Sequence, residues 1–194
     1  MKTLLLDSSN TDLSIGICID NEIKYRVAYP CWQRQSELMI PELEKGLKEL
    51  NLSLKDFDEV VCGVGPGSYT GVRIALTIAK TICTITDTKL KLISSLRIMG
   101  DRNSKYISLV NARSGRSYIG AYDCENVVLN DTVLTNDEVK EFINNHPDFE
   151  VVGDCSYIEI SAKKPTILEG LLSLKDIVEP VEDILSVKPI YLKD

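Results

Sequence analysis

A glycine-rich segment between two apolar runs constrains the fold of this chain more than any other feature. Residues 63–73 (GVGPGSYTGVR) follow a short apolar run and open a longer one at residues 74–83. This order predicts a strand, a tight turn and a helix. Glycine permits positive φ and a close approach of another backbone or a ligand, and the first N–H groups of a helix lack intrahelical partners. The corner can therefore hold an anion or simply pack tightly within the protein.

The apolar pattern alternates between periods of two and of 3.6 along the chain, which predicts an α/β fold. The predicted strands span residues 3–6, 13–19, 23–29, 60–62, 89–93, 106–110, 117–122, 127–129 and 151–152, and the predicted helices span residues 36–50, 69–84 and 136–145. The polar loop at residues 100–104 is the best candidate boundary, because the pattern restarts after it. We expect two lobes, residues 1–100 and residues 101–194.

Composition restricts the class of protein. The chain has 194 residues with 44% hydrophobic and 26% charged content, which is ordinary for a globular protein. Its net charge is −7 and no basic run stands out, which argues against stand-alone binding of nucleic acid. No apolar run approaches the roughly 20 residues that span a bilayer. The short apolar N-terminus is not a signal peptide, so we predict a cytoplasmic protein.

Metal chemistry finds little support in the sequence. The six cysteines are scattered without a C-x-x-C motif, and His146 is the only histidine. Zinc sites need clustered cysteine and histidine ligands. We predict no metal ligands and no catalytic residues in this chain.

The glycine-rich corner matches none of the common nucleotide-binding or nucleophile motifs. It lacks the Gly-Lys-Ser/Thr ending of a P-loop, the last glycine of a dinucleotide fingerprint, and the flanks of a nucleophile elbow. Ser68 is the better candidate for a helix cap, with Thr70 as the second. Arg73 lies near the helix start, where the dipole disfavours it, so we expect a carboxylate or anion partner. The corner residues, a structural or weak anion site, are Gly65, Gly67, Ser68, Thr70, Gly71 and Arg73.

A second candidate loop follows the first strand. Asp7, Ser8 and Ser9 stand where sugar kinases and actin-like ATPases begin their phosphate loop, but this turn has no lysine and no glycine pair. A simple hairpin turn is the favoured interpretation, and a vestigial phosphate loop is the alternative.

The helix predicted at residues 69–84 is apolar around nearly its whole circumference. Such a helix is buried on more than one side. One side can pack on its own sheet. The other side needs a second layer of this chain or another protein.

Several segments together resemble the TsaB (YeaZ) family, paralogues of the transferase TsaD. The most specific is residues 65–73, and the resemblance covers almost the whole chain. The other matching segments are residues 6–9 (LDSS), 35–41 (QSELMIP), 94–96 (SSL), 111–115 (NARSG) and 189–192 (PIYL). The resemblance implies an actin-like (ASKHA, ribonuclease H-like) two-lobe fold with mixed sheets flanked by helices.

The resemblance also implies a function. Family members are non-catalytic subunits that bind TsaD and support transfer of threonylcarbamoyl to the adenosine beside the anticodon of tRNA, together with the small ATPase TsaE. ATP or ADP and metal are expected on the partner subunits, since the single histidine cannot supply TsaD's histidine pair. Contact with tRNA is expected only through the complex.

In the family, the two long helices of the first lobe pack against TsaD or against a second copy. Carried over to residues 36–50 and 70–84, this implies an interface from among Met39, Leu43, Leu47, Leu76, Ala79 and Cys83. Gln35 and Asn111 depart from the family pattern, where histidine and aspartate are usual. The alternative function is an actin-like phosphotransferase or ATPase that uses Asp7 and the glycine-rich corner.

Overall fold

Two mixed β-sheets flanked by helices organise the chain, as the α/β prediction requires. The computed structural model of the protein describes residues 1–31 and 33–192. The strands are β1 Lys2–Asp7, β2 Asp12–Ile19, β3 Glu22–Pro30, β4 Glu59–Gly63, β5 Lys89–Ile93, β6 Lys105–Arg113, β7 Arg116–Asp123, β8 Asn126–Thr135 and β9 Glu150–Gly153. The α-helices are α1 Gln35–Glu49, α2 Tyr69–Thr86, α3 Asn136–Asn145 and α4 Ile167–Leu174.

The two sheets begin with the same topology. The first has the order β3-β2-β1-β4-β5, with β2 antiparallel to both β1 and β3, while β4 runs parallel to β1 and β5. The second has the order β8-β7-β6-β9, again an antiparallel meander followed by a parallel strand. The lobes therefore share a topology that residue identities do not reveal.

Alternating side chains of the first sheet build a core on each face. Leu4 and Leu6 face α1 and α2, whereas Leu5 faces α4. A strand buried on both faces has an almost continuous apolar sequence. This explains why residues 3–6 show no alternation.

The end of the chain returns to the first lobe. Helix α4 packs on the first sheet through Leu168, Leu171 and Leu174. After it, residues 178–192, which we call the C-terminal segment, pack on the core between the first sheet and its helices α1 and α2 through Val181, Ile184 and Val187. The predicted lobe of residues 101–194 is therefore larger than the second sheet with its helices, since its last third belongs to the first lobe in space. Residues 193 and 194 of that predicted lobe lie outside the described residues.

The C-terminal segment explains part of the apolar circumference of α2. It covers one further side of the helix, where Lys80 of α2 donates to the carbonyl oxygens of Leu185 and Val187 at 3.0 and 2.8 Å. This chain itself thus supplies part of the second layer, and another face of α2 stays open. Within the described residues, no helix is long and apolar enough to cross a membrane.

Candidate functional site

The N-terminus of α2 is capped by the protein's own groups. The Ser68 hydroxyl accepts a hydrogen bond from the Gly71 N–H at 3.2 Å, so Ser68 and not Thr70 is the cap. The Ser68 N–H donates to the Ser9 carbonyl oxygen at 2.7 Å. Two of the N–H donors at this corner, those of Ser68 and Gly71, are therefore already engaged by the chain.

The glycines of this corner allow backbone segments to touch. A Cβ at Gly67 would come within 2.4 Å of the Ser9 carbonyl oxygen, and one at Gly71 within 2.0 Å of the Ser8 carbonyl oxygen. Gly65 has φ of +100°, and a Cβ there would lie 2.6 Å from the Ile190 carbonyl oxygen. The corner thus holds the first loop on one side and the C-terminal segment on the other, which favours the structural interpretation of this motif.

Among the described residues, Arg73 contacts two tyrosines and no carboxylate. Its Nε donates to the Tyr191 hydroxyl at 2.7 Å, and its guanidinium lies 4.0 Å from the centroid of the Tyr69 ring. The Tyr69 and Tyr191 rings stack at 5.1 Å. Aromatic faces carry negative potential that stabilises a cation, so Tyr69 and Tyr191 give Arg73 a partner within this chain.

Asp7, Ser8 and Ser9, at the end of β1 and in the loop after it, are buried and hydrogen-bonded. Asp7 Oδ2 accepts from the N–H and hydroxyl of Ser9 at 3.1 and 3.0 Å, while Asp7 Oδ1 is buried and has no hydrogen-bond partner in the described part of the chain. Burial raises the pKa of Asp7 to about 6 against the lowering effect of the Ser9 hydrogen bonds. The Ser8 hydroxyl donates to the Gly71 carbonyl oxygen at 2.7 Å. The loop joins antiparallel β1 and β2, as the hairpin interpretation predicts, and it also fixes α2.

An exposed apolar groove lies between α1 and α2, and we call it the α1/α2 groove. Its cavity measures about 330 Å³, and Glu44 is its only charged lining residue in the described part of the chain. Ile40 is 52% exposed and Ile85 is 64% exposed. The lining residues are Ile40, Leu43, Glu44, Leu47, Leu54, Thr77, Ile78, Thr81, Ile82 and Ile85. A contiguous exposed apolar surface of this kind is typical of an interaction site.

The structure corrects which side chains can form an interface. Met39, Leu76, Ala79 and Cys83 are at most 2% exposed and belong to this chain's own core, because they face the sheet rather than solvent. Of the predicted set, only Leu43 and Leu47 line the α1/α2 groove, and Leu43 is itself buried.

Sequence reasoning missed the exposed isoleucines. Ile40 of α1 and the pair Ile78 and Ile85 of α2 line the groove but were not among the predicted interface residues. The signal was present, since Ile40 and Leu47, like Ile78 and Ile85, are seven residues apart and so share a helix face.

His146 has a structural role in this fold. Its ring stacks on Phe142 at 4.1 Å and meets Phe149 edge-on at 5.5 Å. One ring nitrogen, Nδ1, is bonded to the Phe142 carbonyl oxygen at 2.8 Å, where α3 ends. Among the described residues, no three histidine, cysteine, aspartate or glutamate side chains are grouped to hold a metal ion.

Comparison with known proteins identifies the family. The profile of the TsaD family, described as tRNA N6-adenosine threonylcarbamoyltransferase, matches residues 31–146, more than half of the chain. TsaB of Bacillus subtilis (strain 168), a tRNA threonylcarbamoyladenosine biosynthesis protein, is 29% identical over 137 residues. The chain belongs to the TsaB (YeaZ) branch of the TsaD family. TsaB of Haemophilus influenzae is 24% identical over 221 residues, covering 98% of this chain and 93% of that protein.

The match covers less than two thirds of the length of some relatives. The match to the Bacillus subtilis protein covers 69% of this chain but only 60% of the relative, and the match to TsaB of Buchnera aphidicola subsp. Schizaphis graminum covers 62% of that relative. What the relatives do is therefore carried to this chain only as a proposal below.

Solved structures of the family have the same fold. A Pseudomonas aeruginosa protein described as similar to the peptidase YeaZ superposes with a TM-score of 0.86 at 22% identity, covering 99% of both chains. The structure of YeaZ from Pseudomonas aeruginosa gives a TM-score of 0.79 at 21% identity, covering 98% of this chain and 99% of that one. The fold is thus the actin-like, ribonuclease H-like α/β fold that the sequence predicted.

Proposed function

We propose that this protein is a non-catalytic subunit in tRNA threonylcarbamoyladenosine synthesis, which binds a TsaD-like paralogue and supports transfer of the threonylcarbamoyl group. The α1/α2 groove is the single observation that carries this proposal. It combines exposed isoleucines with an almost uncharged lining, on the helices that the family uses for pairing. Fully burying an Ile-sized side chain contributes about 1.5–3 kcal/mol, so Ile40 and Ile85 are suited to anchor a partner.

The partner is expected to supply what this chain lacks. In the proposed complex, ATP or ADP and metal are bound by the TsaD-like and TsaE-like subunits, and tRNA is reached only through the assembly. The same groove also suits a second copy of this chain, because an exposed patch on one face can pair with itself about a two-fold axis. A homodimer would then compete with the TsaD-like partner.

Two exposed isoleucines make a sharp test. Ile40→Glu and Ile85→Glu place a carboxylate in the groove without touching the core, and Val128→Glu is the matched control because Val128 is equally apolar, 44% exposed, and distant on β8. Binding to the purified TsaD-like paralogue is measured by calorimetry, and oligomeric state by light scattering. We expect the groove variants to weaken binding at least about 100-fold and Val128→Glu to leave it unchanged.

Several outcomes would contradict the proposal. Unchanged affinity in both groove variants would move the interface elsewhere. No binding by the wild-type chain, with a stable homodimer that the groove variants dissociate, would make the groove a self-association surface. In a reconstituted reaction, the groove variants should lower tRNA modification in proportion to lost binding, since we assign this chain no reacting group.

The phosphotransferase or ATPase alternative is tested separately. It requires the glycine-rich corner to receive a phosphate, yet that corner is engaged by Ser9 and the C-terminal segment. ATP turnover by the isolated chain that disappears in Asp7→Asn would favour this alternative over the subunit role.

A further inference from the structure

A second cavity, distinct from the α1/α2 groove, lies between the two lobes. It measures about 330 Å³ and is lined by Ser94, Arg97, Tyr122, Val127, Asn130 and Asp131. Ser94 and Arg97 follow the carboxyl end of β5, and the other four lie on β7 and β8 of the second sheet. Cavities of about 300–1,000 Å³ hold small molecules. We call this cavity the interlobe pocket.

A β-bulge aims Asp131 into the interlobe pocket. Ile119 pairs with Thr132 and Ala121 with Leu129, so Gly120 alone opposes both Asn130 and Asp131. Bulges redirect side chains and are common beside functional sites. A Cβ at Gly120 would lie 2.6 Å from the Tyr122 hydroxyl and 2.7 Å from Asp131 Oδ1. The glycine thus makes room for the polar groups that the bulge gathers.

Two hydroxyl groups hold the Asp131 carboxylate, whose oxygens can accept further hydrogen bonds. The Ser94 hydroxyl donates to its Oδ2 and the Tyr122 hydroxyl to its Oδ1. Each carboxylate oxygen accepts more than one hydrogen bond, so both can still take a donor from a ligand. The Ser94 hydroxyl is fixed in turn by the N–H groups of Leu96 and Arg97, at 3.1 and 3.3 Å.

Arg97 brings a cation to the same cavity. Its Nη2 donates to the Glu125 carbonyl oxygen at 2.5 Å and its guanidinium lies 5.4 Å from the Tyr122 ring centroid. Its Nε is buried and, among the described residues, has no hydrogen-bond partner, so the protein's own acceptors do not saturate this guanidinium. Within the described residues, Arg97 and Asp131 line one cavity without forming an ion pair with each other.

We propose that the interlobe pocket binds a free amino acid as its zwitterion, with the carboxylate on Arg97 and the ammonium on Asp131. Opposite charges that face one cavity without pairing are complementary to a ligand that carries both charges. A simple anion would suit Arg97 but meet the carboxylate of Asp131, and a simple cation would meet the guanidinium. Val127 at the cavity wall provides apolar contact for a side chain. This site goes beyond the proposed subunit function and uses a different surface.

The test uses the full chain with unmodified and blocked amino acids. Each proteinogenic L-amino acid is screened by thermal shift at about 5 mM, and hits are measured by calorimetry; we expect at least one with Kd of about 1 mM or tighter. For each hit, the N-acetyl form and the carboxamide form remove one charge at a time. Both blocked forms should bind at least about tenfold more weakly, since each loses a charge-assisted hydrogen bond.

A pair of neighbouring valines locates the site. Val127→Phe fills the pocket, and Val128→Phe is the matched control, because Val128 is its neighbour on β8 and is not among the lining residues. Both valines are at least 44% exposed, so both variants should fold. Val127→Phe should lower affinity at least about tenfold and Val128→Phe should not.

The proposal is overturned if no amino acid binds at about 10 mM, if the blocked forms bind as well as the zwitterion, or if Val127→Phe retains affinity. Asp131→Asn adds an independent check, because it keeps the shape and removes the charge that we assign to the ammonium. Binding of the TsaD-like partner should be unaffected by Val127→Phe, so failure here is distinguishable from failure of the subunit proposal.

Discussion

The N–H of Ser68 donates to the carbonyl oxygen of Ser9 at 2.7 Å, and this bond ties the first loop of the chain to the N-terminus of α2. The two segments that could have cradled a phosphate are thereby used on each other. Because buried backbone groups need partners, the contact satisfies both segments at once. The glycine-rich corner is therefore best understood as a packing device that sets the position of α2.

This contact predicts the cost of a side chain at Gly71. In Gly71→Ala the new Cβ would meet the Ser8 carbonyl oxygen at 2.0 Å, which only a backbone shift can relieve. Overpacking of this kind costs about 1–3 kcal/mol or more. Urea unfolding should show at least this loss, although alanine is normally the better helix former. Thr70→Ala, next to it and exposed, is the control and should change stability by under about 0.5 kcal/mol.

Truncating Leu76 of α2 should lower the stability of the fold strongly, whereas truncating Ile85 of the same helix should hardly change it. Leu76 is 2% exposed in the core of the first lobe, so Leu76→Ala should cost about 2–5 kcal/mol. Ile85 is 64% exposed, so Ile85→Ala should stay within about 0.5 kcal/mol. The denaturant midpoints of the two variants measure these two stability losses. Equal losses would mean that α2 sits differently on the sheet.

The sequence predicts the elements of the first lobe well because their patterns are local. The alternation in β2 predicts its strand, although residues 13–18 are buried on both faces. The spacing in α1 follows from the face that the helix buries, and Ser68 caps α2 by chemistry visible in the chain. Helix α4 escapes notice, since Gly170 weakens its helical signal. That glycine is explained only by tertiary contact, because a Cβ there would lie 2.0 Å from the Ile98 carbonyl oxygen.

The candidate sites are less predictable than the fold because they depend on contacts between residues far apart in the sequence. Periodicity shows that α2 is apolar on most sides, but it cannot tell that residues from the far end of the chain cover one of them. Likewise, Arg97 and Asp131 are 34 residues apart and meet only because the two lobes face each other. A sequence motif therefore indicates the glycine-rich corner. The α1/α2 groove and the interlobe pocket form only through tertiary packing, so no local motif predicts them.

Lys80 should hold the C-terminal segment on α2. Lys80→Met removes two charge-assisted hydrogen bonds to the carbonyl oxygens of Leu185 and Val187 while keeping the apolar stem. Bonds to charged groups contribute about 1.5–3 kcal/mol each at most. Hydrogen exchange should speed up at the Val181 and Ile190 amides, which donate to β5 and to Val64. Lys48→Met on exposed α1 is the control, and equal acceleration in both variants would refute the role of Lys80.

The raised pKa of Asp7 should make the stability of the fold depend on pH. Its pKa is raised by burial from 3.8 to about 6, so the folded state binds the proton more tightly than the unfolded chain. The associated stability is present below about pH 4 and is lost as pH rises through about 6. Asp7→Asn cannot ionise. Its stability relative to the wild type should therefore rise by about 2 kcal/mol between pH 4 and pH 7, at about 1.4 kcal/mol per pKa unit, since part of the effect already lies below pH 4.

Urea unfolding of both proteins at several pH values measures this difference, in which other titrating groups cancel. Asp137→Asn, on the exposed first turn of α3, controls for a general effect of the substitution. A pH-independent difference between Asp7→Asn and the wild type would mean that Asp7 titrates normally and is not held in a dry site.

Lys175 and Glu59 should behave as a coupled pair that anchors the returning chain. Lys175 is 1% exposed, and its Nζ lies 3.1 Å from Glu59 Oε1. Thr3 donates to the same carboxylate at 2.9 Å and Lys91 pairs with it at 3.1 Å. These contacts outweigh burial, which alone would raise the pKa, and lower the pKa of Glu59. Removing one partner of a buried pair costs about 3–5 kcal/mol, because the other is left uncompensated.

Lys175→Met should therefore be strongly destabilising, with Lys91 and Thr3 limiting the loss toward the lower end of that range. Adding Glu59→Gln removes the unpaired charge, so the double variant should be more stable than the sum of the single effects by at least about 1 kcal/mol. The exposed pair Lys48 and Glu44 on α1, at 2.9 Å, is the control cycle and should couple by under about 0.5 kcal/mol. Additive effects at Lys175 and Glu59 would show that the lysine stabilises the fold by packing or through Asp176, whose Oδ1 lies 2.9 Å from its Nζ, rather than through Glu59.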